Sequence, residues 1–239
     1  MATEINTAMV MAAGLGKRMR PLTATRPKPL IRVAGKALID HVFEHLLAAG
    51  VERIIVNVHY LADAVEAHLA RYAHRVELIF SDERVTLLET GGGMMHARSW
   101  LGDAPFFCVN ADNFWIDGAV PSLDMLRARW DLEAMDALLL LVPLAHAQCH
   151  GGRGDFHMDA LGRIARRKHG RVAPFVMSGV QILNPAILAD PPGAIFSTNI
   201  FWDRAIARQR CYGIAHSGLW FDVGTPQALP VVEAALADG

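Results

Sequence analysis

Cysteine is scarce in this chain: Cys108, Cys149 and Cys211 are the only three in 239 residues. An odd set without paired spacing argues against a disulfide framework and suits a reducing cytoplasm. Long apolar runs are missing as well. A stretch such as Ala137–Val142 is far too short to span a bilayer and reads as a buried strand. The N-terminus has neither the basic region nor the apolar stretch of a secretory signal, so none is expected. Neither sign of charge dominates. The 23 Lys and Arg stand against 24 Asp and Glu, a formal net charge of −1, which argues against a broad basic footprint for nucleic acid. Repeats, low-complexity tracts and linkers are also absent, and one domain over residues 1–239 is expected. Nothing indicates a membrane or a protein partner. What the chain has is apolar side chain. With 52% hydrophobic and 20% charged residues it can bury a sizeable core.

The apolar positions follow two periods. Thr7–Ala12, Arg53–Val58, Val76–Phe80, Phe106–Asn110 and Ala137–Val142 read as strands. Leu38, Ile39, Val42, Phe43, Leu46 and Leu47 mark a helix from about Ala37 to Ala49, closed by Gly50. Leu61, Val65, Leu69 and Tyr72 mark a second helix, and Pro121–Trp130 and Phe196–Arg208 two more. Phe175–Leu183 and Cys211–Ala215 read as later strands, with a turn at Leu161-Gly162. This alternation predicts an α/β fold, Rossmann-like, with a mostly parallel central sheet and helices on both faces.

The densest chemistry lies between Met9 and Leu30. Ala13, Gly14, Leu15 and Gly16 follow the first strand with little side-chain bulk. Such a turn lets consecutive N–H groups converge on an anion. Lys17, Arg18, Arg20, Arg26 and Lys28 then supply the cations a polyphosphate needs. Two common phosphate motifs fail here. The dinucleotide fingerprint needs a third glycine where Met19 stands, and Walker A needs Gly at Met11 and Ser or Thr at Arg18. The longer pattern Gly14-x-Gly16-x-Arg18-x-x-Pro21-x-Thr23, followed by Pro27-Lys28-Pro29, resembles the signature of the sugar-1-phosphate nucleotidyltransferases. Those enzymes join a sugar 1-phosphate to a nucleoside triphosphate and release pyrophosphate.

Further matches extend to residue 226. Leu88-Glu89-Thr90-Gly91-Gly92-Gly93 resembles the branch of the family that uridylylates N-acetylmuramate 1-phosphate. By itself the glycine triplet reads as a loop, ahead of a helix-like segment, made for close backbone approach. Asp112, in Asn110-Ala111-Asp112-Asn113, follows a strand at the end where α/β sheets bind ligands. The family usually has Gly where Ala111 stands. Trp220-Phe221-Asp222-Val223-Gly224-Thr225 resembles the family's Trp-x-Asp-x-Gly-Thr element. On its own residues, Thr225 also reads as a helix cap with Pro226 at the first helical position.

The resemblance implies roles. UTP and a sugar 1-phosphate are the implied substrates, and Mg²⁺ the implied cofactor, held between Asp112 and Asp222. Arg18 is implied at the β- and γ-phosphates and Lys28 at the α-phosphate or sugar phosphate, so that Arg18, Lys28 and Asp112 form the implied catalytic set. Ala13, Gly14, Leu15, Gly16, Lys28, Glu89, Thr90, Gly91 and Gly92 are implied nucleotide contacts, the last two reading the base edge through their backbone. Asn113, Arg153, Gly154, Asp155, Ser178 and Gly179 are implied at the sugar. The nucleotide-binding part would cover about 1–113 and the sugar-binding part about 114–226. Arg153 could meet the lactyl carboxylate of N-acetylmuramate, with Arg166 and Lys168 as competing cations. Lys168 falls near the family's second lysine, but the usual Glu-Lys-Pro is replaced by Arg167-Lys168-His169.

Other readings of the motifs are a mannose-1-phosphate guanylyltransferase and a glucose-1-phosphate uridylyl- or thymidylyltransferase. A non-catalytic nucleotide-sugar sensor should have lost a metal ligand or the loop arginine, whereas Asp112, Asp222, Arg18 and Lys28 are all present. His146, Cys149 and His150 lack a fourth ligand and a recognised zinc spacing. The uridylyltransferase reading would give the chain a part in peptidoglycan recycling, in the cytoplasm. The chain stops soon after its last motif, without the long C-terminal extension of some relatives.

Overall fold

The structure, a computed structural model, describes residues 4–237. In chain order it runs β1 (Thr7–Met11), β2 (Arg32–Val33), β3 (Lys36–Ala37), α1 (Leu38–Ala48), β4 (Arg53–Val58), α2 (Ala62–Leu69), β5 (Glu77–Asp82) and α3 (Glu89–His96). Then follow α4 (Arg98–Leu101), β6 (Phe106–Asn110), β7 (Phe114–Ile116), α5 (Ser122–Arg129), β8 (Ala137–Pro143) and β9 (Ala147–Gln148). The chain finishes with β10 (Phe156–Met158), β11 (Ile164–Arg166), β12 (Phe175–Leu183), α6 (Asn199–Ala207), β13 (Cys211–Ala215), β14 (Leu219–Phe221) and α7 (Ala228–Ala237). Residues 1–3 and 238–239 of the expected domain lie outside the described residues.

The main sheet has the order β11-β10-β12-β6-β1-β4-β5, and β8 bridges β12 to β13. β6, β1, β4 and β5 pair in parallel, as does β13 with β8. β12 departs from that direction and runs antiparallel to both β6 and β8. Successive residues of β1 and β4 face opposite sides, which gives the sheet two apolar faces. Ala8, Val10, Ile54 and Val56 pack with Phe43 of α1, Val65 of α2 and Leu126 of α5. Met9 and Ile55 pack on the other side with Met94 of α3, Leu101 of α4 and Phe201 of α6. Helices therefore cover both faces, and the fold is the expected Rossmann-like α/β arrangement. Among the described residues no helix is long and apolar enough to cross a membrane.

Three features depart from the sequence reading. A small sheet, β7-β14-β9, stands beside the main one; its strands, of three, three and two residues, are too short to show a period. The last helix starts at Ala228, so Thr225 and Pro226 precede it. The glycine triplet lies inside α3 instead of in a loop. Glycine weakens a helix interior by about 1 kcal/mol relative to alanine, so packing must hold this one. Gly91, Gly92 and Gly93 are all buried. A Cβ on Gly92 would lie 2.2 Å from the Ala194 carbonyl oxygen, and one on Gly91 2.4 Å from the Phe196 ring. Only glycine lets the first turn of α3 come this close to the segment before α6.

Candidate active site

β1 and β6 are adjacent and parallel, so their C-terminal ends open side by side. The Ala111 N–H donates to the Met11 carbonyl at 3.0 Å, which holds the two following loops together. A cleft with three lobes forms over them, and Asp112 borders all three.

The first lobe is lined by Gly14, Leu15, Gly16, Lys17, Arg18 and Lys28. Gly16 has φ +59, the left-handed conformation, and its carbonyl accepts from the Thr23 hydroxyl at 2.9 Å. A Cβ at Gly14 would meet nothing within 4 Å, so the backbone there borders open space. Among the described residues the N–H groups of Gly14, Leu15 and Gly16 have no acceptor. The loop thus presents a row of free donors beside three cations, a geometry suited to phosphate oxygens. Lys28 Nζ is 2.5 Å from Asp112 Oδ2, an ion pair between two residues that border both the first lobe and the third.

The second lobe is bordered by Ala13, Asn57, Leu87, Glu89, Thr90 and Ser197. Glu89 enters α3 at φ +60. Thr90 Oγ1 accepts from the Thr198 N–H at 2.9 Å. Gly91 and Gly92 do not border this lobe. Their N–H groups donate to the Phe196 carbonyl at 2.8 and 3.1 Å, so the expected reading of the base by these donors is corrected. Asn57 is a residue the sequence reading missed. Its one signal is a polar side chain in the apolar run Ile54-Ile55-Val56-Asn57-Val58, where it is 2% exposed.

The third lobe contains Arg18, Lys28, Asn110, Asn113, His150, Asp155, Ser178 and Asp222. Asn113 Nδ2 is buried without a partner, a donor left open to a ligand hydroxyl or phosphate oxygen. Asp155 Oδ2 accepts from the Met177 N–H at 2.9 Å, and Ser178 Oγ from Val180 N–H at 3.1 Å. Gly154 and Gly179, expected at the sugar, do not border the lobe itself but lie behind its lining. Gly179, at φ +86, lies so close to Asn110 and Asn113 that a Cβ would fall 2.6 Å from Asn113 Nδ2. Gly154, at φ +73, is covered by the Ala173 carbonyl.

All three cations expected to compete for a sugar carboxylate lie elsewhere. Arg153 is exposed and does not border the lobe. Arg166 pairs with Asp203 at 2.7 Å and stacks over Phe156 and Trp202. Lys168 is exposed in the turn after β11. The backbone at Arg153 is held by the Ala173 N–H bond to its carbonyl, and the residue is exposed. His150, dismissed as a zinc ligand, does reach the lobe, and its Nδ1 is 3.2 Å from Asp222 Oδ2.

Asp112 and Asp222 can be tested as ligands of a hard cation. Both border the third lobe, one from the end of β6 and one from the end of β14. Lys28 and His150 each engage one carboxylate oxygen, and the Oδ1 of each aspartate has no donor among the described residues. Among the described residues no cluster of three or more His, Cys, Asp or Glu could enclose a metal. Two carboxylate oxygens with room for phosphate and water fit Mg²⁺, which seldom takes an all-protein cage.

The nucleotidyl transferase family profile matches residues 7–151. The chain is 49% identical over 234 residues to N-acetylmuramate alpha-1-phosphate uridylyltransferase of Caulobacter vibrioides, covering 97% of both chains. It is 32% identical to the protein of that name from Neisseria meningitidis, over 95% of this chain and 96% of that one. A crystal structure of UDP-glucose pyrophosphorylase complexed with UDP-glucose shares the fold, with a TM-score of 0.79 at 18% identity over 98% of this chain and 99% of that one.

Proposed function

The chain belongs to the nucleotidyl transferase family, and we propose that it transfers a uridylyl group from UTP to N-acetylmuramate α-1-phosphate, giving UDP-N-acetylmuramate and pyrophosphate. The observation that carries this reading is the identity along nearly all of both chains to the Caulobacter protein of that name. Three lobes meeting at Asp112 support it, since triphosphate, base and sugar phosphate must converge on one reacting phosphorus.

An oxygen of the sugar 1-phosphate forms a bond to the α-phosphorus of UTP. The bond to the α–β bridging oxygen breaks, and its electron pair leaves with pyrophosphate. The nucleophile is already anionic near neutral pH, so positioning and charge stabilisation matter more than a strong base. The N–H groups of Gly14–Gly16 and the Arg18 guanidinium would hold the departing β- and γ-phosphates. Lys28, held by Asp112, would lie between the α-phosphate and the incoming phosphate. Glu89 and Thr90 would face the nucleoside, and Asn113, Asp155 and Ser178 the sugar. Asp112 and Asp222 would hold Mg²⁺, which supplies charge neutralisation at the α-phosphate when bound. In this reading residues up to about 113 serve mainly the nucleotide and those after it the sugar. We place the activity in peptidoglycan recycling in a reducing cytoplasm, consistent with three free cysteines.

The test is product identity. Incubated with UTP, N-acetylmuramate 1-phosphate and Mg²⁺, the protein should release pyrophosphate and UDP-N-acetylmuramate in equal amounts, read by coupled assay and mass spectrometry. Pyrophosphate release without that nucleotide sugar would refute the assignment.

A further inference from the structure

We propose that Asn57 and Glu83 form a buried relay that fixes the phosphate loop and the base-side helix relative to each other, making both of them positioning residues for the nucleotide. The proposal rests on the reading that the cleft takes a nucleoside triphosphate. Asn57 lies near the C-terminal end of β4 and Glu83 directly after β5, and each is 2% exposed. Asn57 Oδ1 accepts from the Ala12 N–H at 2.7 Å. Asn57 Nδ2 donates to Glu83 Oε1 at 2.7 Å. Glu83 Oε2 accepts from the Leu88 N–H at 3.1 Å. One chain of side-chain bonds therefore joins the residue before the Ala13–Gly16 loop to the residue before Glu89 and Thr90.

The composition of this link is unusual for a purely structural tie. A buried carboxylate is costly unless a cation accompanies it. Among the described residues no Lys or Arg pairs with Glu83; its side chain is met only by two amide donors. The backbone also anchors it, with the Glu83 N–H donating to the Val58 carbonyl at 2.8 Å and its carbonyl 2.7 Å from His59 Nδ1. The relay also accounts for the third glycine of the triplet. A Cβ on Gly93 would lie 2.6 Å from Glu83 Oε1 and 2.9 Å from Asn57 Nδ2, so α3 sits directly on the relay. A carboxylate accepts at both oxygens and so can hold two walls at once. Fixing both walls beforehand lowers the ordering cost of a ligand that must span from phosphates to base.

The chemistry of the relay gives a rescue test. Glu83→Gln replaces one acceptor by a donor, leaving either Asn57 Nδ2 or the Leu88 N–H unmatched. Asn57→Asp puts a second carboxylate against Glu83. The double variant Asn57→Asp/Glu83→Gln restores every bond. The new carboxylate accepts from Ala12 and from the new amide, whose oxygen accepts from Leu88. We expect each single variant to raise KM for UTP and weaken UTP binding by about tenfold, with KM for the sugar 1-phosphate within about twofold of wild type. The double variant should recover most of the loss. UTP and GTP binding are read by calorimetry without sugar, so an error in the sugar assignment leaves the test intact. Single variants that only lower Tm, or that raise both KM values alike, overturn the relay, as does a double variant no better than the singles. If Asn57→Asp does not fold, Glu83→Gln alone decides through the KM split. A wild type that binds neither triphosphate overturns the functional reading and the relay together.

Discussion

Gly92→Ala should destabilise the protein, although in an ordinary helix the same change would stabilise it. The new Cβ would lie 2.2 Å from the Ala194 carbonyl oxygen and 3.1 Å from the Leu88 Cβ. Relief takes a shift of about 1 Å, because ordinary contacts of this kind lie near 3.5 Å. The obstacle is backbone, so no side-chain rotation removes it. Overpacking of this kind costs about 1–3 kcal/mol. Pulling α3 away also stretches the Gly91 and Gly92 bonds to the Phe196 carbonyl, a loss of about 1 kcal/mol. The better helix propensity of alanine returns about 1 kcal/mol. The net loss is about 1–3 kcal/mol, or a fall in Tm of roughly 2–12 °C for a chain of this length. Gly193→Ala is the control: its added Cβ meets nothing within 4 Å, and its Tm should stay within about 1 °C of wild type. Differential scanning calorimetry of both variants is the assay. A Gly92→Ala protein as stable as wild type would refute the packing account and return the glycine triplet to the base-reading role.

Asp112→Asn and Asp222→Asn should each lower kcat at least about a hundredfold while leaving a folded protein; full turnover of either with Mg²⁺ would remove that aspartate from the metal site. Arg18→Ala should damage turnover through the triphosphate. Arg153→Ala should leave the kcat/KM ratio between N-acetylmuramate 1-phosphate and N-acetylglucosamine 1-phosphate unchanged, and a shifted ratio would put Arg153 back at the sugar. Asp117 gives a pH signature. Burial alone would raise its pKa, but bonds from His45 and Ser122 hold it well below the usual carboxylate range. A depressed folded pKa adds stability above the unfolded value near ~3.9 and loses it as pH falls through the folded one. Asp117→Asn should therefore destabilise the protein at pH 7 and lose that effect progressively as the pH falls from about 4 towards the depressed folded pKa, followed by urea titrations along that range; a loss of stability that stays the same down the whole range would contradict the assignment.

The long elements were legible because each carries a period. Phe106–Asn110, Arg53–Val58 and Phe175–Leu183 fall on β6, β4 and β12 residue for residue, since buried strands are bounded where the apolar run stops. The phosphate loop was legible from Gly14, Gly16 and the following cations, which form one local unit. What was not legible depends on partners distant in sequence. The glycine triplet reads as a loop until Ala194 and Phe196, about a hundred residues later, require it inside a helix. Arg153 reads as a carboxylate binder because sequence gives a side chain's charge and not its direction. Glu83 carries no signal of burial in the sequence, and its place under the loop shows only through its bonds to Asn57 and Leu88.

The central claim is the choice of sugar and base, and a competition assay tests it most directly. With Mg²⁺ and equal UTP and GTP, the protein receives equal N-acetylmuramate 1-phosphate and N-acetylglucosamine 1-phosphate, and the nucleotide sugars are separated and counted at low conversion. UDP-N-acetylmuramate should be the main product. A majority of UDP-N-acetylglucosamine, or of any GDP-sugar, would contradict the assignment.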